Sequence, residues 1–304
     1  MTQAARSIPL NAFGPEARSV DTPVLNSHIH HVEHGDGDPI VFLHGSPTSS
    51  YLWRHVFARL AGRGRLIVPD LIGFGDSGRP DIAYELDDHI RYLDAWFDAL
   101  DLNNVTLVVQ DYGAAFGVSW AARHSARVKA VLLAEPVIRD IASADLPEPF
   151  VQAQQLIRTP GDGEKFVVED NNLFLTQVLP GAFLTPPARE DLDVYLAPFP
   201  TPESREHLIK FPRNLPIDGN PAASVDFLER SVDWLKTSTD VPKLLLTFEP
   251  GFLLTPEILS WATENIAALE VRAAGAGVHF VQEEQPQAIA DGVVDLLARA
   301  GKAK

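Results

Sequence analysis

Val108-Val109-Gln110-Asp111-Tyr112-Gly113-Ala114-Ala115 is the stretch on which the reading of this chain turns. An apolar strand, VTLVVQD (105–111), runs straight into small residues and then into the helical pattern AFGVSWAARH (115–124). Strand, sharp turn and helix in that order describe a nucleophile elbow, here with an aspartate at its apex. So tight a turn needs small neighbours that let backbone pass close by, and Gly113 and Ala115 supply them. The elbow lifts the Asp111 side chain to a helix N-terminus, where an anion is favoured. The plainer alternative is that Asp111 only caps the helix, which aspartate does well.

Working outward, further apolar runs read as buried parallel strands: IVFLHG (40–45), RLIVPD (65–70), VKAVLLAE (128–135) and VPKLLLTFE (241–249). Helix-like segments lie between them, notably Leu86–Leu100, whose apolar positions recur at spacings of three and four. Strands alternating with helices give βαβ units and an α/β fold around a parallel sheet. Upstream, Ser27–His34 followed by a Gly/Asp turn predicts an antiparallel hairpin opening that sheet. The alternation stops between Pro136 and Pro216. That stretch is proline-rich and helical in flavour (EPFVQAQQLIR, 148–158; NNLFLTQVLPG, 171–181; PAREDLDVYLAPF, 187–199). It predicts a helical insertion acting as a lid over the carboxyl edge of the sheet, where open α/β sheets bind ligands.

Composition narrows the function. The 304 residues carry 41 acidic against 25 basic side chains, a net charge of −16. That argues against nucleic acid, whose binding relies on cations neutralising phosphates, and against an anionic membrane surface. Cysteine is absent, which excludes disulfides, thiolate metal sites and a cysteine nucleophile. The apolar share of 45% and charged share of 22% are those of a globular protein. No apolar run approaches the roughly 20 residues needed to span a bilayer, and MTQAARSIPL opens without a signal-like apolar core. Together these predict a soluble, cytoplasmic protein.

Two more segments converge on the elbow. His44-Gly45-Ser46-Pro47 follows a strand directly, placing backbone N–H groups of Ser46 and Tyr112 as an oxyanion hole. Gly275-Ala276-Gly277-Val278-His279-Phe280 follows a short strand near Leu269–Ala273 and offers a general base late in the chain, completing the order nucleophile, acid, histidine. The base needs a carboxylate to fix its tautomer. Glu135 and Glu249 both end strands, and pattern alone does not choose between them. His28, His30, His31 and His34 invite a metal reading, since His28 and His30 share a strand face, but a solvated edge hairpin explains them more simply. Asp87, Asp88, Asp94, Asp98 and Asp101 read as the solvated side of a helix.

With these residues in place, the chain resembles the haloalkane dehalogenases of the α/β-hydrolase superfamily. The likeness runs nearly end to end: HGSPTSSYLWRHV (44–56), VPDLIGFGDSGRP (68–80), QDYGAAFG (110–117), VLLAEPV (131–137), QVLPG (177–181), YLAPF (195–199), FPRNLPIDGNPA (211–222), PKLLLTFEPG (242–251) and GVHFVQEEQP (277–286). It implies an α/β-hydrolase fold with a mostly parallel eight-stranded sheet, a core of residues 1–136 and 217–304, and a helical cap of residues 137–216. The pattern is similar to the subfamily that takes its acid after the sixth strand, which selects Glu135 over Glu249. The resemblance further implies that Asp111 attacks the halogen-bearing carbon, forming an alkyl ester that water activated by His279 then hydrolyses. No cofactor or metal is implied; the partners are a small apolar halogenated substrate, water and halide, acting on a monomer or homodimer. Phe150, Phe174, Leu175 and Leu179 are the expected pocket wall.

Two positions depart from the family. Its halide clamp is an asparagine after HG and a tryptophan after the nucleophile; Ser46 and Tyr112 stand there instead, and Gln110 replaces a common histidine. Alternatives on the same fold are a cofactor-free, coelenterazine-type monooxygenase, to which GEKFVVEDNNLF (163–174) and EPGFLL (249–254) are similar, and an ester or epoxide hydrolase. Tyr195 is the only tyrosine in the insertion, which does not match the tyrosine pair of epoxide hydrolases.

Overall fold

The computed structural model describes residues 6–169 and 172–302. Eight strands form one sheet: β1 (Arg18–Val24), β2 (Ser27–His34), β3 (Pro39–Leu43), β4 (Arg65–Pro69), β5 (Val105–Asp111), β6 (Val128–Pro136), β7 (Lys243–Pro250) and β8 (Leu269–Gly277). Their order across the sheet is β1-β2-β4-β3-β5-β6-β7-β8. From β4 to β8 every neighbouring pair is parallel, and β1 and β2 add antiparallel at one edge. β3 and β5 are buried along their whole length, which is why they read as unbroken apolar runs rather than alternating ones.

The expected hairpin is not made. β2 pairs with β1 and β4, not with β3. The connection from β3 through helix α1 (Arg54–Arg59) returns β4 parallel to β3, so β4 occupies the edge that β2 would have used. The Gly/Asp turn therefore carries the chain across β4 instead of folding it back. The histidines of β2 are also not a solvated edge. His30 and His31 are fully buried; His30 places Nδ1 2.7 Å from Asp70 and Nε2 2.8 Å from the Ser19 hydroxyl.

Helices cover both faces. Helix α2 (Leu86–Ala99) buries Leu86, His89, Ile90, Leu93, Trp96 and Phe97, the three-and-four spacing of an amphipathic stripe. Its first turn is closed by a capping box between Glu85 and Asp88. Helix α3 (Tyr112–Arg123) grows directly out of β5 and is buried from Tyr112 to Ala121, with the helix Ala222–Thr237 packed against it. The helix Pro286–Lys302 lies on β6 and β7 across the other face. None of the helices in the described residues is long and apolar enough to cross a membrane.

Between β6 and β7 the described residues add no strand to the sheet. The two ends of this segment meet at a bridge between Ile141 and Ile217, and between them it runs through short helices, among them α4 (Glu148–Arg158). Buried charge ties the segment down: the Arg54 guanidinium, 3% exposed, reaches Asp191 at 3.0 Å and also pairs with Glu283, just beyond His279.

The elbow leaves no room for a side chain at Gly113. A Cβ at Gly113 would collide with the carbonyl oxygen of Leu43 at the end of β3. Gly113→Ala is expected to cost about 1–3 kcal/mol through overpacking, read as a lowered thermal midpoint. Gly301→Ala, where nothing lies within 4 Å of the new methyl, should leave the midpoint unchanged or slightly raised.

Candidate active site

β5 ends at Asp111, whose backbone sits at φ 51°, ψ −132°. An L-residue occupies that region only under constraint, at a cost of about 1–3 kcal/mol. The constraint is visible. Gly113 lies against the Leu43 and His44 carbonyls, and a Cβ at Gly45 would collide with the Asp111 carboxylate. The Asp111 carbonyl accepts from the Val137 N–H at 3.1 Å, and the Ser46 N–H donates to Asp111 Oδ1 at 3.2 Å. The HG of the loop after β3 is thus a glycine because the carboxylate rests on it.

His279 follows β8, and its N–H donates to the carbonyl of Ala182 at 3.2 Å. Its Nε2 lies 3.3 Å from Asp111 Oδ2 and its Nδ1 3.7 Å from Glu135 Oε2. The first is a contact distance; the second is an ion-pair spacing too long for a hydrogen bond. Glu135, itself at φ 44° and fully buried, is held by the N–H groups of Phe252 (3.0 Å) and Leu253 (2.7 Å) in the loop after β7. Glu249 ends β7 exposed to solvent, so the structure brings Glu135 to the histidine and leaves Glu249 outside.

Burial works against a charged His279, but contact with the Asp111 carboxylate and the negative charges of Asp111 and Glu135 outweigh it and hold its pKa up to about 9. Gln110, to which the sequence pattern assigns no role, contributes here. Its carboxamide N–H donates to the His279 carbonyl at 3.2 Å, holding the loop that carries the ring.

Asp111 and His279 line a cavity of 710 Å³, with Glu135 and Gln110 behind them. Phe150, Phe174 and Leu179 line it, as do Phe166, Phe211 and Phe252, which the sequence pattern does not single out. Leu175, also expected on the wall, does not reach the cavity; its side chain is 1% exposed and lies in the apolar core. Neighbours on a helical turn point in different directions, and the sequence gives no sign of which one faces inward.

Ser46 and Tyr112 both line the cavity but do different things. The Tyr112 hydroxyl donates to the carbonyl of Phe211 at 2.9 Å, so its proton is already engaged. Burial first, and the charge of Asp111 after it, keep that phenol well above its usual pKa. The Ser46 Oγ is buried with no partner among the described residues, while the Ser46 N–H is engaged with Asp111. The assembly can therefore present a carboxylate to an electrophilic carbon, a base to water, and a hydroxyl and an amide N–H to developing negative charge.

The alpha/beta hydrolase fold family matches residues 38–186. A haloalkane dehalogenase of Agrobacterium fabrum (strain C58) is 60% identical over 282 residues, covering 93% of this chain and 92% of that protein. One from Mesorhizobium japonicum is 41% identical over 279 residues, covering 90% and 89% respectively. The crystal structure of a haloalkane dehalogenase from Agrobacterium tumefaciens C58 superposes with a TM-score of 0.93 at 59% identity, over 96% of this chain and all of that one. Another, from Bradyrhizobium elkani, gives a TM-score of 0.90 at 37% identity over 95% of this chain and 100% of its own.

The raised pKa of His279 has a direct test. Below about pH 9 the ring holds its proton because two carboxylates face it. Asp111→Asn removes one of them, and burial then meets only Glu135. An NMR titration of the imidazole should show the pKa falling to its ordinary value of about 6.5 or below. A value unchanged by the substitution would locate the raising charge elsewhere.

Proposed function

This chain belongs to the haloalkane dehalogenases of the α/β-hydrolase superfamily and is a hydrolase acting on carbon–halide bonds, and from that premise we propose that its turnover runs through an alkyl ester on Asp111. The observation that carries this reading is the arrangement at the cavity floor: Asp111 with one carboxylate oxygen on the Ser46 N–H and the other 3.3 Å from His279 Nε2.

In the first step an Asp111 oxygen attacks the halogen-bearing carbon from behind. The C–O bond forms as the C–halogen bond breaks, and the halide leaves with the bonding pair. An apolar cavity favours this, since a carboxylate stripped of water is the stronger nucleophile. The Ser46 hydroxyl, free in the resting structure, is the donor for the departing halide. Tyr112 serves the site by its ring, because its hydroxyl is spent on Phe211. The halide site expected from sequence as a Ser46/Tyr112 pair is thus read here as one hydroxyl and one aromatic wall.

Esterification removes the negative charge of Asp111, and with it the larger of the two attractions that hold a proton on His279. The ring then loses its proton to solvent and becomes a base. His279 Nε2 takes a proton from water as that water attacks the ester carbonyl carbon, and the Ser46 N–H stabilises the oxyanion. Glu135 balances the imidazolium. Collapse breaks the bond between the carbonyl carbon and the alkoxy oxygen, the leaving alkoxide takes a proton from His279, and the carboxyl proton left on Asp111 passes to His279, restoring the resting pair. Aspartate suits this route because its ester can be hydrolysed, whereas a serine would end as an inert ether. The balance is haloalkane plus water to alcohol, halide and a proton, and no step calls on a cofactor.

We read residues 137–216 as the cap over a core of 1–136 and 217–304. The bridge between Ile141 and Ile217 closes its base, and Phe150, Phe174 and Leu179 face the cavity from it. A small apolar haloalkane is the substrate class that such walls suit.

Bromide release from 1-bromohexane tests the reading. Asp111→Ala should abolish it. Glu135→Gln should lower turnover at least about 100-fold, because loss of the acid leaves the imidazolium uncompensated, while Glu249→Gln should stay within about twofold of the parent, as exposed substitutions far from the chemistry do. The reverse ranking would move the acid to Glu249. Ser46→Ala should slow turnover about 100-fold or more, as loss of one donor to a developing anion does. A Ser46→Ala enzyme of full activity would remove the hydroxyl from the halide site.

A further inference from the structure

The backbone N–H groups on either side of the base do not bond to the sheet. β8 ends at Gly277, whose carbonyl accepts from the Gly251 N–H at 2.9 Å. Beyond it the chain turns to other partners. The Val278 N–H donates to Glu284 Oε2 at 2.9 Å, and the His279 and Phe280 N–H groups share the Ala182 carbonyl of the cap, at 3.2 and 3.4 Å. The other oxygen of Glu284, Oε1, accepts from the N–H of Leu184, two residues after Ala182. One carboxylate therefore holds both the chain immediately before His279 and the cap segment on which His279 rests. A Cβ at Gly277 would stand 3.0 Å from Glu284 Oε2, so the glycine leaves the carboxylate its place. Neighbouring contacts press the same two parts together: the rings of Phe183 and Phe280 pack with centroids 5.0 Å apart, and the Tyr195 hydroxyl donates to Glu283 at 2.5 Å.

We propose that Glu284 is the positioning residue for the general base, holding His279 against the cap so that ester hydrolysis, and not alkylation, depends on it. The proposal rests on the reading of turnover as an alkyl ester on Asp111. Two N–H donors converge on one side chain, and a carboxylate supplies an acceptor oxygen to each; a glutamine supplies one, and an alanine none. Asp111 owes its place to other groups, the glycines of the elbow and the Ser46 N–H. Glu284 does not line the cavity and touches no reacting atom. A change there reaches His279 without reaching the nucleophile. His279 acts after the halide has left, so a displaced base slows the second step and spares the first.

Single-turnover kinetics with 1-bromohexane separate the two halves: bromide release reports alkylation, and loss of the hexyl adduct, followed by intact mass, reports hydrolysis. In Glu284→Ala the first rate should stay within about twofold of the parent and the second should fall about tenfold or more, as displacement of a positioned group does. With excess substrate, bromide then appears as a burst of about one equivalent per enzyme ahead of a slow steady rate. Glu284→Gln, which restores one of the two acceptors, should hydrolyse the adduct at a rate between those of the parent and Glu284→Ala, with alkylation again unchanged. It carries the same test should Glu284→Ala fail to fold. A fall in both rates together, as a general loosening of the fold would produce, or in neither, overturns the positioning role. His279→Phe, run beside these variants, should keep the hexyl group on Asp111; if no adduct forms there, the ester reading itself fails, and the role of Glu284 with it.

Discussion

The strained turn at Asp111 depends on two stretches of backbone approaching each other with no side chain between them. Gly45 gives the Asp111 carboxylate a flat surface to rest on, and Gly113 lets helix α3 begin against the carbonyls of Leu43 and His44. Both glycines are needed for the carboxylate to stand at φ 51° above the carboxyl edge of the sheet, within reach of Ser46 and His279. The cost of that conformation is covered by the packing of α3, buried along almost its whole length between the sheet and the helix Ala222–Thr237. Position comes from the backbone here, and reactivity follows from position.

Around that carboxylate the electrostatics are arranged so that one event changes the next. In the resting state Asp111 and Glu135 both face His279 and keep it protonated, against a burial that favours the neutral ring. On the proposed route, esterification of Asp111 removes one of those charges, the burial that was outweighed then favours the neutral ring, and the ring gives its proton to solvent and becomes the base of the second step. Gln110 assists by holding the His279 carbonyl while leaving no charge of its own beside the ring. Glu135 is anchored by two backbone N–H groups from the loop after β7.

Features that are local along the chain are legible in the residues alone. The elbow is one strand, one turn and one helix in succession, so its residues name themselves; so do the apolar central strands and the insertion between β6 and β7. What depends on distant partners is not legible in this way. Periodicity identifies Ser27–His34 as a strand but not its neighbour, because β4 enters between β2 and β3 through a connection further along the chain. His30 reads as a solvated residue because its partner Asp70 lies forty positions away. Tyr112 stands where the family carries a halide-binding tryptophan, and the residue that accepts its hydroxyl hydrogen bond, Phe211, lies 99 positions on. Leu175 does not reach the cavity that Phe174 and Leu179 line, a matter of helical direction that no composition records. The carboxylate choice is intermediate: both Glu135 and Glu249 end strands, and only the resemblance of the motifs around them favours the one that faces His279.

The central claim is that carbon becomes bonded to Asp111 before water takes part. Replacing the base isolates that step, because His279→Phe leaves the nucleophile, the Ser46 donors and the cavity while removing the group that hydrolyses the ester. The variant mixed with 1-bromohexane and followed by intact mass, then by peptide mapping, should gain one hexyl group, placed on Asp111, with one equivalent of bromide released. A folded His279→Phe protein that releases no bromide and gains no mass, or an adduct mapped to any other residue, would contradict the account.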